Sequence, residues 1–563
     1  MLAGFVALGV AGWAQTAAAV TCADLNNDGK VNLADAVRLI QAVGAGPNAA
    51  DCGGGVGGGT LACGDLDHNG AITISDVVIM LAQLTGNPTL FPLCQGAGTI
   101  VNTPSACTAG GGKFTVSGNV GSTQEWSANC PIYIDGLVFV QSGVTVTIDP
   151  GTTVVGVKNP TQNGGPTNIS ALIFQRGSKI NAAGSPSQPI IMTSQPHFEG
   201  GSGNISDWGG LTINGAAPVN CPGGECLAEG LVGVPFGGSN PNDSSGKLEY
   251  VRVEFSGKEL SPDNELNIIT YNGVGAGTVL DHVQANVGFD DCNEWFGGTV
   301  NGKFIVSSAC GDDLFDTQLG TVGKFQYYLG VYYNPTMQNA GNNGFEWDNN
   351  ENGFDLLPRN APKTCNVTLI GTRLQTNAIG ENTEQASNFR RGTAGIVANT
   401  IAEHFRNSGW ALNDNATATQ ACSTGQFVVE HSLLFDNGFD PGGAKQVKGT
   451  ATSPCTPASW YAALSAVNPS DPTQTGTDPQ LGADTTGLVY GTHVGTDTPT
   501  NVDQFIPSGS SPGVATVSLV NSLAMDCKTI DPFFDTTNYV GALRPGDSAA
   551  NWLTTPWISF ETQ

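Results

Sequence analysis

Basic residues are scarce in this chain. Lys and Arg number 21 against 48 Asp and Glu, a formal net charge of −27 over 563 residues. So acidic a surface repels nucleic-acid phosphates and anionic headgroups, which excludes nucleic-acid binding and suits a protein that meets metal ions. Charge of either sign is low as well, at 12%, and this argues against a helical bundle. Beyond residue 19 no apolar run is long enough to span a bilayer, so no transmembrane anchor is expected. Histidine is rare: His68, His197, His282, His404, His431 and His493 offer no close metal-ligand pair. His-Glu-x-x-His and phosphate-cradling glycine motifs are missing too, and with them the sequence signs of those chemistries.

Glycine, in contrast, is abundant: its 77 copies are about twice the usual share. Such a composition fits many turns between short strands. The opening "MLAGFVALGVAGWAQTAAA" reads as the apolar region and cleavage site of a secretory signal over 1–19, cut near Ala19. It lacks a basic n-region, which implies a start further upstream. Fourteen cysteines fit an exported protein.

Two stretches, "CADLNNDGKVNLADAVRLIQ" and "CGDLDHNGAITISDVVIMLA", match at a shift of 41 positions. Asp24, Asn26, Asp28, Gly29 and Asp35 align with Asp65, Asp67, Asn69, Gly70 and Asp76. A hard cation such as Ca²⁺ takes six to eight oxygens at about 2.3–2.6 Å. Loop positions 1, 3, 5 and 12 give side-chain oxygens, position 7 gives a carbonyl (Lys30 and Ala71 here), and glycine at position 6 makes the sharp turn. A helix-spaced apolar pattern follows each loop: Leu33, Val37 and Ile40, then Ile74, Val77, Val78 and Leu81. Metal-free Asx turns are the alternative. The tandem duplication, with Asp at position 12 and one helix per loop, resembles the dockerin family. That resemblance implies a small α-helical module over 20–95 that holds two Ca²⁺ ions and docks onto a cohesin-like protein. Cys22 with Cys52 and Cys63 with Cys94 are the expected staples of its halves.

After a linker over 96–117 the texture changes. "VTVTIDPGTTVVGV", "ALIFQRGSKI", "PIIMTS", "LEYVRVEF", "KFIVSS" and "NVTLIG" are short β-branched runs separated by Gly, Asn and Asp. Central residues Ile148, Ile173, Ile191 and Ile213 step by 25, 18 and 22; Ile305, Tyr327 and Phe345 step by 22 and 18. Strands at roughly twenty-residue intervals predict a β-solenoid over 118–563, because one coil cannot bury its apolar face alone. A β-sandwich is the competing architecture. "DWGGLTINGAAPVN", "SGKLEYVRVEFSG", "DDCNEWFGGTVNGKFIVS" and "YVGALRPGDSAANWLTTPW" resemble a family of exported bacterial proteins. The resemblance implies a mainly β fold, a right-handed parallel β-helix of pectin-lyase-like shape, and no particular activity.

Acidic clusters are the candidate site: Asp290, Asp291 and Glu294; Asp312, Asp313 and Asp316; Glu346, Asp348, Glu351 and Asp355. The first two lie 22 positions apart, about one coil, so they are expected side by side on one edge. As catalysts, Asp290, Asp291, Asp312, Asp313 and Asp316 would supply an acid and a base or nucleophile for glycoside hydrolysis. Alternatively they would hold Ca²⁺ on an acidic sugar for a lyase. The competing reading is structural: Asp and Asn favour tight turns, and stacked coils repeat them at one corner, where like charge invites a cation. Gly-His-Gly and Arg-x-Lys motifs, expected of a polygalacturonase-like hydrolase, are absent. Arg390 and Arg391 either hold an anionic sugar or form an exposed turn, and Trp208, Trp295 and Trp347 either stack on sugars or pack between coils. His282, one coil away, reads as a packed residue. Cys221 and Cys226 are positioned to pin a loop, and Cys292 and Cys310 to bridge coils.

The reading preferred on sequence is a secreted, calcium-binding modular protein of the bacterial exterior or cell surface. Its solenoid would be an adhesive, structural or carbohydrate-binding surface, with a polysaccharide and a cohesin-like protein as partners. A polysaccharide lyase or hydrolase and a passive surface-layer scaffold are the alternatives.

Overall fold

A computed structural model of the chain describes residues 112–165, 168–261, 264–333, 342–371, 384–438, 446–464, 505–506, 524–546 and 551–560. All lie in the second of two compact units, Gln95–Gln563. The signal segment, both calcium loops and the Cys22–Cys52 and Cys63–Cys94 pairings lie outside the described residues.

Among the described residues, two large parallel sheets build this unit. One has nine strands, running from Asn119–Val120 through Leu211–Asn214, Ile269–Asn272, Asn293–Phe296 and Phe315–Gln318 to Gln385–Arg390. The other has fifteen. Successive coils add one strand to each, in register and parallel: Ile269 pairs with Asn293, Asn293 with Phe315, and Phe315 with Phe345. This is a parallel β-helix, not the antiparallel sandwich. Its first paired strand, Phe114–Val116 against Ile132–Ile134, begins ahead of the expected Gly118. The register also corrects the step count. Ile148 and Ile191 lie in the fifteen-stranded sheet, and Ile173 and Ile213 in the nine-stranded one, so those steps count faces, not whole coils.

Alternation along each strand explains the core. In Asn293–Phe296, Trp295 points inward with no exposure, while Glu294 points the other way. Like side chains stack from coil to coil: the Tyr271 and Trp295 rings lie 5.0 Å apart, Trp295 and Phe315 4.6 Å, and Phe315 and Phe345 5.3 Å. Trp208, Trp295 and Trp347 are all fully buried, so they pack the coils and present no sugar platform.

The fifteen-stranded sheet is two faces joined at a bend. Gly246–Ser256 pairs over its first half with Lys179–Ala183 and over its second with Ile190–Ser194. Tyr250, at the junction, takes a left-handed φ of 51° and drops out of the ladder. His282, Phe304, Tyr327, Asn366 and Asn399 do the same on later coils. One residue per coil thus turns the chain between faces, and the freed side chains stack: His282 lies 4.2 Å from Tyr250 and 4.4 Å from Phe304. His282 is therefore a packed ring away from the acidic clusters.

The C-terminal segment returns along this sheet. Asn399 donates to the Met525 carbonyl, Lys324 pairs with Asp531 at 2.9 Å, and Arg252 donates to the Pro556 carbonyl. Trp557 and Leu543 enter an apolar cluster with Val306, Leu329 and Ile401. A Cys365–Cys527 disulfide ties the returning segment down. This strap covers one face of the coil stack.

Candidate functional site

The nine-stranded sheet carries the acidic residues on its outer face. In-register pairing places Glu294, Asp316, Glu346 and Asn388 in one row, one per coil. At the corner before these strands the doublets Asp290-Asp291 and Asp312-Asp313 stack, and the Cys292–Cys310 disulfide fastens the two corners. Gly311 is required there: a Cβ on it would lie 1.7 Å from the Phe289 carbonyl oxygen.

Within the doublets the two positions do different work. The Asp291 amide donates to Asn267 Oδ1 (3.2 Å), the Asp313 amide to Asp291 Oδ1 (2.7 Å), and the Asn343 amide to Asp313 Oδ1. Each side chain satisfies the next coil's backbone, as turn-forming Asx residues do. Asp290 and Asp312 are partly buried and line the cleft, where Asp312 Oδ1 is buried without a hydrogen-bond partner.

Together these groups line a cleft of about 420 Å³. Two insertions outside the coil add to its wall. Glu229 comes from a loop pinned by the Cys221–Cys226 disulfide and by Arg176, which reaches Glu225 at 2.6 Å. Glu265 comes from an antiparallel hairpin, Lys258–Ser261 with Asn264–Leu266. Gly230 donates to Asn264 Oδ1 (2.9 Å), joining the insertions. Gln318, Gln385, Asn388 and Arg390 complete the lining.

A family model for the pectate-lyase like beta helix domain matches residues 118–471. The chain belongs to this family. No curated protein and no solved structure matches it significantly. Membership in the pectate-lyase-like β-helix family fits a polysaccharide-related role. The described disulfides are compatible with an extracellular setting. Among the described residues no helix is long and apolar enough to cross a membrane.

The pectate-lyase-like cleft is strongly charged. It holds nine carboxyl groups and one cation. Burial raises the carboxyls of Asp290, Asp291, Glu294, Asp312, Asp313 and Asp316 well above their usual range, and neighbouring carboxylates raise them further. Burial likewise lifts Glu346 to about 7, with Asp348 adding and Arg390 opposing, and lifts Glu229 to about 7 beside Glu265. Arg390 donates to Asp348 (2.8 and 3.0 Å) and to Glu346. Burial works against its charge, but these two carboxylates hold the guanidinium above its ordinary value.

Three carboxylate triads bring oxygens within 4.8 Å of one another: Asp290, Asp291 and Asp312; Asp291, Glu294 and Asp316; Asp313, Asp316 and Glu346. Every acidic residue of the first two sequence clusters thus enters the site. Glu346 joins them, and Asp348 serves Arg390 and Arg391 from behind. Glu351 and Asp355 stay out, largely exposed and paired with Arg391 and Arg359. Arg390 lines the cleft; Arg391 turns to Asp348 at 2.6 Å. Sequence reasoning missed Glu229 and Glu265. The close pair Cys221 and Cys226 was the available sign, since it marks the insertion that carries Glu229.

Proposed function

We propose that this chain is an exported protein whose β-helix binds a polysaccharide in the acidic cleft. The observation that carries this reading is the cleft itself. It is an open groove across successive coils, rich in carboxylate and amide oxygens that accept hydrogen bonds from sugar hydroxyls. A lyase that used Arg390 as its base would need the guanidinium to give up its proton, and Glu346 and Asp348 hold it charged. The groove has no histidine in its lining.

A second reading, glycoside hydrolysis, draws on Glu346 and Glu229. Each is held at about 7, which suits a proton donor at neutral pH. One experiment separates the two. The protein is incubated with neutral and acidic glycans, and binding, new reducing ends and unsaturated products are all measured. Retained binding without products supports the binding surface, and reducing ends that vanish in Glu346→Gln support the hydrolase. Absence of both binding and products overturns the proposal.

The N-terminal loops, with Asp24, Asn26, Asp28, Lys30 and Asp35 in one and Asp65, Asp67, Asn69, Ala71 and Asp76 in the other, are proposed to hold two Ca²⁺ ions. On the dockerin resemblance, they attach the chain to a cohesin-like partner.

A further inference from the structure

We infer that the carboxylate row binds a divalent cation centred on Asp316, and that this ion fastens two successive coils together. Asp316 is 7% exposed, and its Oδ1 has no hydrogen-bond partner. Its neighbours are supplied. Glu294 accepts from Asn267 (2.6 Å) and Gln318 (2.8 Å), Glu346 from Asn343 (2.9 Å) and Asn388 (2.8 Å), and Asp291 and Asp313 from backbone amides. A buried carboxylate oxygen without a donor is costly, and a bound cation removes that cost.

The geometry fits such an ion. Two oxygens that each lie about 2.4 Å from one Ca²⁺ are at most about 4.8 Å apart. Asp316 meets that limit with Asp291 and Glu294 on one side and with Asp313 and Glu346 on the other. Glu294, Asp316 and Glu346 come from three consecutive strands, so one ion on Asp316 crosslinks adjacent coils. The donors are all oxygen. Neither histidine nor a free thiol lines the site, since Cys292 and Cys310 are bonded to each other. Hard cations of the Ca²⁺, Mg²⁺ and Mn²⁺ class are therefore selected over Zn²⁺ or Cu²⁺. The inference does not rest on the glycan reading, because ion binding is measured without any sugar.

The test compares the full chain with Asp316→Asn, so that the N-terminal loops contribute equally to both. Each protein is dialysed against about 1 mM free Ca²⁺, in the range of extracellular modules. Bound calcium is then counted by elemental analysis, and melting is followed by near-ultraviolet circular dichroism of the buried tryptophans. The substituted chain is expected to lose at least one ion per molecule. In chelator it should melt at or above the native chain, since an amide replaces a buried carboxyl crowded by like groups, and in Ca²⁺ below it. Asp355→Asn, an exposed carboxylate outside the cleft, should change neither reading. Equal ion counts, or an equal calcium-induced rise in melting temperature, would overturn the inference. If Asp316→Asn does not fold, Glu294→Gln is read by the same two measurements against the same outcomes.

Discussion

Replacing Arg390 with methionine keeps much of its stem volume and removes the one positive charge lining the cleft. Behind it, Asp348 has a side chain 3% exposed and Glu346 one 12% exposed, against 33% for the arginine. Stripping one partner from a buried ion pair costs about 3–5 kcal/mol, because the remaining charge stays desolvated. Arg391 still holds Asp348 at 2.6 Å, and Arg390 is a third exposed, so the lower end applies: about 3 kcal/mol at pH 8. The penalty should shrink at pH 5. With its carboxyl at about 7, Glu346 already carries a proton there and needs no cation. Denaturant unfolding of both proteins, in chelator and at the two pH values, supplies the numbers. An equal penalty at pH 5 and pH 8, or one below about 1 kcal/mol at pH 8, would refute the account of the cleft as a desolvated carboxylate cluster.

The cation-free protein should lose stability as pH rises from about 4.5 to about 7. Over that window the unfolded chain releases the Glu346 proton that the native state keeps, so Glu346 alone contributes a fall of about 3 kcal/mol, visible as a declining melting temperature in EDTA. Converting Cys365 and Cys527 to serine opens a 162-residue loop and should cost about 5 kcal/mol, with early proteolysis of the returning strap as the second readout. Chelation should abolish a calorimetric transition belonging to the N-terminal loops while leaving the β-helix transition present at a lower temperature. A single transition indifferent to chelator would contradict that expectation.

Much of the fold was legible because a solenoid writes itself into local sequence. Runs such as "VTVTI" and "KFIVSS" alternate inward and outward positions whatever lies above them, and Gly, Asn and Asp mark the corners. The 22-residue offset of Asp290 and Asp312 placed two acidic corners on neighbouring coils, and the structure stacks them there. The apparent steps between isoleucines were less informative, since three faces per turn give similar short intervals between strands that never pair. The bend residues were hidden too: Tyr250, His282, Phe304 and Tyr327 carry no turn signature, and their left-handed backbone follows from the two faces on either side.

By itself, the sequence determined the short-strand architecture, the acidic balance, the corner doublets and the duplicated oxygen-rich loops, because each is set by residues close together in the chain. Only the tertiary structure decided which carboxylates share a cleft. It brought Glu229 and Glu265 in from separate insertions, placed Arg390 against Glu346 and Asp348 across coils, and left one oxygen of Asp316 without a donor. The physical reason is desolvation: a carboxylate's behaviour depends on the water it loses and the charges it meets, and both are fixed by neighbours dozens of residues away.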